Sequence, residues 1–135
     1  MILGIGTDIC DIRRIEESIE KHGERFLDKI YTPRERNYCD PKSGPATYYA
    51  KRWAAKEAVA KALAGARTKS LSWQDVEVSN DPSGRPSIVL HRGALKRMNS
   101  IMPSGFSGNI HLSLTDDYPY AQAFAVFEAV KLHSP

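Results

Sequence analysis

The sequence predicts an α+β fold with a mainly antiparallel sheet packed with one long and several short helices. Three observations carry this expectation. An apolar segment with glycines opens the chain, two pairs of short apolar segments come later, and helical periodicity fills the stretches between them. At 135 residues there is room for a single domain, 1–135, with a real core.

Residues 2–10 read as a strand, with Gly4 and Gly6 inside it and Asp8 near its end. From Asp11 to His22, Ile12, Ile15 and Ile19 recur at helical spacing, and Gly23 reads as the stop. A short helix is expected over Glu24–Ile30. Thr32 followed by Pro33 reads as an N-cap with proline at the first helical position, opening a helix to about Cys39. DPKSGP at 40–45 is a loop, and residues 46–64 form the long helix, ending near Gly65. VEVSN and SIVLH flank the turn DPSGRP as a hairpin. Residues 93–101 read as a helix, MPSGFSG as a loop, and NIHLSLT and QAFAVFE as strands separated by DDYPY.

Composition excludes several classes. Apolar and charged contents are ordinary for a globular domain, and no apolar run is long enough to cross a bilayer. The start MILGIGTDICDIRRIE lacks the basic-then-apolar order of a signal peptide. Cys10 and Cys39 make no CxxC and no disulfide framework, so the expected setting is a reducing cytoplasm and Cys10 reads as a small core residue. A net charge of +3 suits an acidic partner but is too small to imply nucleic acid. Basic residues cluster early, Arg13, Arg14, Lys21 and Arg25 among them, mixed with Glu16, Glu17, Glu20 and Glu24. That mixture fits either a solvated helix face or a docking surface.

The stretch RWAAKEAVAKAL, residues 52–63, carries the most chemistry. Its helix is apolar on nearly every side, which implies packing on most of them. Tyr49, Trp53, Val59, Ala60 and Leu63 form the bulky stripe, Glu57 projects beside it, and Arg52 and Lys56 fall on the other border. Glu57 and Lys61 stand at i,i+4, and spacing alone favours an exposed ion pair. The competing account holds Glu57 at the edge of a packed helix, where small alanine neighbours leave room for a ligand and a carboxylate needs a partner or a metal. A second carboxylate would decide, and Asp8 in GIGTD is the candidate, since the glycines permit close approach of backbone or ligand. Two carboxylates without His or Cys suit a hard cation such as Mg²⁺.

GIGTDICDIRRIE (4–16), KRWAAKEAVAKAL (51–63) and IHLSLTDDYPYAQAFAV (110–126) together resemble the signature blocks of the short bacterial class of 4′-phosphopantetheinyl transferases, the holo-[acyl-carrier-protein] synthase family. SWQDVEV (72–78) and SGRP (83–86) also fall where that family has counterparts. The resemblance implies the 4′-phosphopantetheinyl transferase fold. It also implies transfer of the 4′-phosphopantetheine arm of coenzyme A to a serine of apo-acyl carrier protein, for fatty acid biosynthesis. By motif, Asp8 and Glu57 would hold Mg²⁺, Glu57 is the first choice of general base, and Lys61 would meet the phosphates. Arg52, Lys61, Gly65, Arg85, Pro86 and His111 would contact coenzyme A. Arg14, assisted by Arg13, Lys21 and Arg25, would grip the acidic carrier protein. The family's assembly implies a homotrimer with sites between subunits. Two alternatives stand beside it: a transferase for a polyketide or peptide synthase carrier domain, and a non-enzymatic nucleotide-binding module on the same fold. Two departures are visible. HLSLTD places Asp116 where relatives have a second His, and AGARTKS replaces a glycine-rich stretch. Asp116 reads as a surface turn residue or a substitute polar contact.

Overall fold

The computed structural model of the protein describes residues 1–64 and 71–133. The elements follow in the order β1 (Ile2–Asp11), α1 (Ile12–His22), α2 (Glu24–Ile30), α3 (Pro33–Cys39) and α4 (Pro45–Ala64). A 3-10 turn at Trp73–Asp75 leads to β2 (Val76–Asn80), β3 (Pro86–Leu90), α5 (Arg92–Ile101), β4 (Phe106–Asp117) and β5 (Tyr120–Lys131). One antiparallel sheet has the order β1-β5-β4, and β2-β3 forms a separate hairpin. The α+β expectation therefore stands. None of the described helices is long and apolar enough to cross a membrane.

Local signals account for the helix ends. The Asp11 side chain accepts from Arg13 N and caps α1, and Gly23 takes φ 50° where that helix stops. Thr32 and Glu35 form a capping box around Pro33 at the start of α3. The last two strands run further than their apolar segments imply. Phe106 pairs with Lys131 and Asp117 with Tyr120, so the expected loop at 102–108 yields its last three residues to β4. Backbone pairing continues past the apolar residues because each strand supplies the other's hydrogen bonds.

The long helix lies on the sheet through small residues. Ala50, Ala54, Ala55, Ala58 and Ala62 are buried on α4, and Ala121, Ala123, Ala125 and Ala129 are buried along β5. Two glycines let the backbones meet. A Cβ on Gly4 would sit 2.0 Å from the carbonyl oxygen of Ala62, and one on Gly6 1.9 Å from that of Ala58. The alanines thus seat the helix on β1 and β5 rather than clearing space for a ligand.

Lys56 departs from its expected place at the helix border: it is buried. Its Nζ donates to the carbonyls of Trp73 (2.9 Å) and Val76 (2.6 Å) and pairs with Glu35 Oε1 at 2.8 Å. Glu35, also fully buried, accepts from Thr32 N and Val78 N, each at 2.9 Å. One buried ion pair therefore ties α3, α4 and the β2-β3 hairpin together. All three Nζ–H donors of Lys56 thus have an acceptor, as a buried charge requires. Trp53 and Trp73 pack at 4.2 Å between ring centroids, in their expected role as core aromatics.

Candidate active site

The close seating of α4 on β1 brings Asp8 and Glu57 to one cleft. Its walls include Asp8, Cys10, Arg14, Phe26, Trp53, Glu57 and Lys61, and its volume is ≈ 380 Å³, within the usual range for a small-molecule site. Lys61 reaches across to the strand. Its Nζ donates to Thr7 O at 2.9 Å and meets Asp8 Oδ1 at 3.2 Å. The i,i+4 pair with Glu57 that spacing favours is thus replaced by a pair between two elements.

Glu57 is half-buried, and its carboxyl is raised above the ordinary carboxylate range. Burial is the main cause, the charge of Asp8 adds to it, and Lys61 opposes both. Two carboxylates thus face one cleft with a single ammonium between them. Among the described residues no group of three or more His, Cys, Asp or Glu converges. A cation here would therefore rest on two carboxylates and complete its shell with water and substrate oxygens, which is how Mg²⁺ is held at phosphate sites. Cys10 lies in the same wall, its thiol pushed up to about 11, chiefly by burial. That keeps it a thiol rather than a nucleophile.

Arg52, Arg85 and Pro86 line a different cavity, of ≈ 400 Å³, with Tyr38, Tyr48, Lys51, Asn80 and Ser113. The Arg52 guanidinium stacks 3.9 Å from the Tyr38 ring centre and donates from Nη2 to Asn80 Oδ1 at 2.8 Å. Its Nε is buried without a hydrogen-bond partner. His111 stands on the outer face of β4, two residues before Ser113, with Nε2 2.9 Å from Glu128 Oε1. The residues expected around coenzyme A therefore divide within one chain. Lys61 belongs to the carboxylate cleft, Arg52, Arg85 and Pro86 to the second cavity, and His111 to the sheet face. Gly65 lies outside the described residues.

The basic cluster divides as well. Arg14 faces the carboxylate cleft. Arg13 is locked to Asp11 at 2.7 Å and Lys21 to Glu17 at 2.6 Å, while Arg25 is exposed on α2. Tyr38, Tyr48, Lys51 and Asn80 escaped sequence reasoning. The adjacent YY and KR pairs at 48–52 are the trace of Tyr48 and Lys51 in the sequence; Tyr38 and Asn80 leave none.

A carboxylate pair on a strand and a helix, with a lysine beside it and an arginine-lined cavity on the same chain, describes an enzyme acting on a phosphorylated ligand. The chain belongs to the 4′-phosphopantetheinyl transferase superfamily, whose family model matches residues 4–123. Its curated relatives carry a more particular name. A holo-[acyl-carrier-protein] synthase from Methylobacterium sp. (strain 4-46) is 50% identical over 131 residues, covering 97% of each chain. Its namesake from Methylorubrum extorquens (strain PA1) is 48% identical over 132 residues, covering 98% of this chain and 97% of that one. Among solved structures, the Neisseria meningitidis holo-[acyl-carrier-protein] synthase superposes with a TM-score of 0.79 at 35% identity, covering 95% of this chain and 99% of that one. The Helicobacter pylori synthase in complex with coenzyme A gives 0.75 at 28% identity, covering 92% and 99%.

Proposed function

We propose that this chain acts as one holo-[acyl-carrier-protein] synthase domain over residues 1–135. It transfers 4′-phosphopantetheine from coenzyme A to a serine of apo-acyl carrier protein and releases 3′,5′-ADP. The observation that carries the proposal is the meeting of Asp8, Glu57 and Lys61 in one cleft that Arg14 also lines. The serine oxygen forms a bond to the phosphorus of the pantetheine phosphate. The bond from that phosphorus to the oxygen of 3′,5′-ADP breaks. Glu57, whose carboxyl is raised above its ordinary value chiefly by burial, takes the serine proton. Lys61 faces the charge that builds on the departing phosphate. Asp8 and Glu57 would hold Mg²⁺, which when bound supplies charge neutralisation on the diphosphate.

The second cavity supports a homotrimer with sites between subunits. Coenzyme A carries both a diphosphate and a phosphomonoester, and one chain presents its carboxylate cleft and its arginine cavity separately. The outer sheet face exposes Ile5, Ile9 and Phe124, Ile5 and Ile9 to 62% and 63%. Covering that face with a second copy would bury apolar surface. Arg14 supplies a cation at the cleft for the acidic carrier protein, with Arg25 exposed nearby on α2 and Arg13 and Lys21 sharing their charge with acidic neighbours. Fatty acid synthesis in the cytoplasm is the setting this chemistry serves.

The test is the mass of an apo-acyl carrier protein incubated with the enzyme, Mg²⁺ and coenzyme A. A gain of one phosphopantetheine group is expected. An unchanged mass would sink the enzyme reading, and modification of only a polyketide or peptide synthase carrier domain would move the substrate.

A further inference from the structure

We infer that Arg97 is a positioning residue for the transfer reaction: by clamping the last turn of α4 from α5, it fixes Lys61 against the departing phosphate. The inference rests on the transferase reading, which gives Lys61 its task.

An α-helix leaves its last four carbonyls without intrahelical partners, and what they meet decides whether the final turn holds or frays. In α4, which ends at Ala64, that turn contains Lys61. Arg97 on α5 reaches two of those carbonyls. Its Nε donates to Leu63 O at 2.8 Å and its Nη2 to Ala64 O at 2.7 Å. The planar guanidinium fork suits two neighbouring acceptors, and its charge opposes the negative end of the helix dipole. A third carbonyl of the turn, that of Ala62, packs against Gly4 of β1. Held by β1 and by α5, the turn keeps Lys61 where its Nζ meets Thr7 O and Asp8 Oδ1.

The mount of the clamp is itself fixed. The buried Asp75 carboxylate accepts from Arg92 Nε at 2.8 Å and from Gly93 N at 3.2 Å, and the Asp75 carbonyl accepts from His91 N at 2.8 Å. These bonds hold Arg92 at φ 41°, a left-handed conformation that is unfavourable for a residue with a Cβ. Towards the other end of α5, a Cβ on Gly108 of β4 would come within 2.7 Å of Met102 Cε and 2.8 Å of Met98 Sδ. Arg97 therefore projects from a helix seated at both ends and cannot simply follow a moving helix terminus. Leu63 and Ala64 follow Lys61 within a single turn, so a loosened end would shift the ammonium relative to Asp8. The loss would fall on the transition state more than on binding, because charge on the departing phosphate builds as its bond to phosphorus breaks.

The experiment measures steady-state transfer by wild type, Lys61→Met, and Arg97→Met and Arg97→Lys, each with and without Lys61→Met. All are assayed well below their melting temperatures, with circular dichroism confirming the fold. Arg97→Met is expected to lower kcat about tenfold, with KM for coenzyme A and for carrier protein nearly unchanged. Arg97→Lys, which keeps the charge but loses the fork, should recover part of that loss. In the Lys61→Met background neither substitution should lower kcat further. If Arg97→Met does not fold, the Arg97→Lys pair makes the same comparison. A lower melting temperature with unchanged kcat would leave Arg97 a structural residue only, and additive losses would show that it acts elsewhere than on Lys61. Calorimetric titration with 3′,5′-ADP, which carries the departed phosphate, separates this inference from the transferase reading. An affinity that the Arg97 substitutions weaken only when Lys61 is present supports the clamp even if wild type transfers nothing, a result that would overturn that reading alone. Transfer by wild type, with kcat and affinity indifferent to Arg97, would overturn the clamp alone.

Discussion

Glu57 holds its proton more tightly in the folded chain than in the unfolded one, because burial and the charge of Asp8 both disfavour ionisation. The stability linked to that proton is fully present below the unfolded value of 4.5 and is lost as pH rises through the higher folded value. Above that window the ionised carboxylate is a burden on the metal-free fold. Glu57→Gln should abolish transfer yet raise the melting temperature measured in chelator at neutral pH, with the gain vanishing as the pH falls below 4.5. A variant that melts lower throughout would show that Glu57 is structural. Added Mg²⁺ should stabilise wild type by mass action and leave Glu57→Gln nearly unmoved. Asp8→Ala should also abolish transfer while the fold persists, as circular dichroism would report. Arg14→Ala should raise the KM for carrier protein more than that for coenzyme A, and equal effects would place Arg14 elsewhere.

Between elements, the contact of β1 with α4 decides the distance from Asp8 to Glu57. Gly6→Ala would push a Cβ into the Ala58 carbonyl, with backbone on both sides and no side chain able to yield. The expected loss is about 1–3 kcal/mol or more of unfolding free energy, together with weaker Mg²⁺ binding as the helix lifts. Denaturant titration and metal titration would check the two effects. The buried Lys56–Glu35 pair gives a second expectation. Lys56→Met alone leaves Glu35 charged and buried, and about 3–5 kcal/mol should be lost. Replacing both residues with apolar ones should recover much of that in the same titration. These elements show where sequence reasoning reaches and stops. Thr32-Pro33, Gly23 and the DPSGRP turn act within a few residues, so helix ends and the hairpin were legible. Lys56 and Lys61 were not, because spacing along one helix is blind to what packs against it. The glycines of GIGTD were read as permitting close approach, and the structure shows that backbone makes that approach.

For the whole molecule, the placing of the first strand beside the last, in the order β1-β5-β4, could not be read from local pattern. The division of the expected coenzyme A residues between two cavities was equally hidden, since motif order does not say which residues share a cavity. If the two cavities meet across a subunit boundary, two inactive variants should rescue each other. Mixed refolding of Glu57→Gln with Arg85→Ala should restore about one quarter of the sites, the share in which random pairing joins two intact halves. Absence of any rescue would require one chain to build the whole site. Arg52 and Glu57 stand five residues apart on α4, about 140° around its axis, so one rigid helix shows a different side to each cavity. Were three copies to close the proposed ring, every such helix would belong to two sites at once. A ligand that nudges the helix at one site would then be felt at the next, and binding curves for coenzyme A would become a gauge of conversation between neighbours.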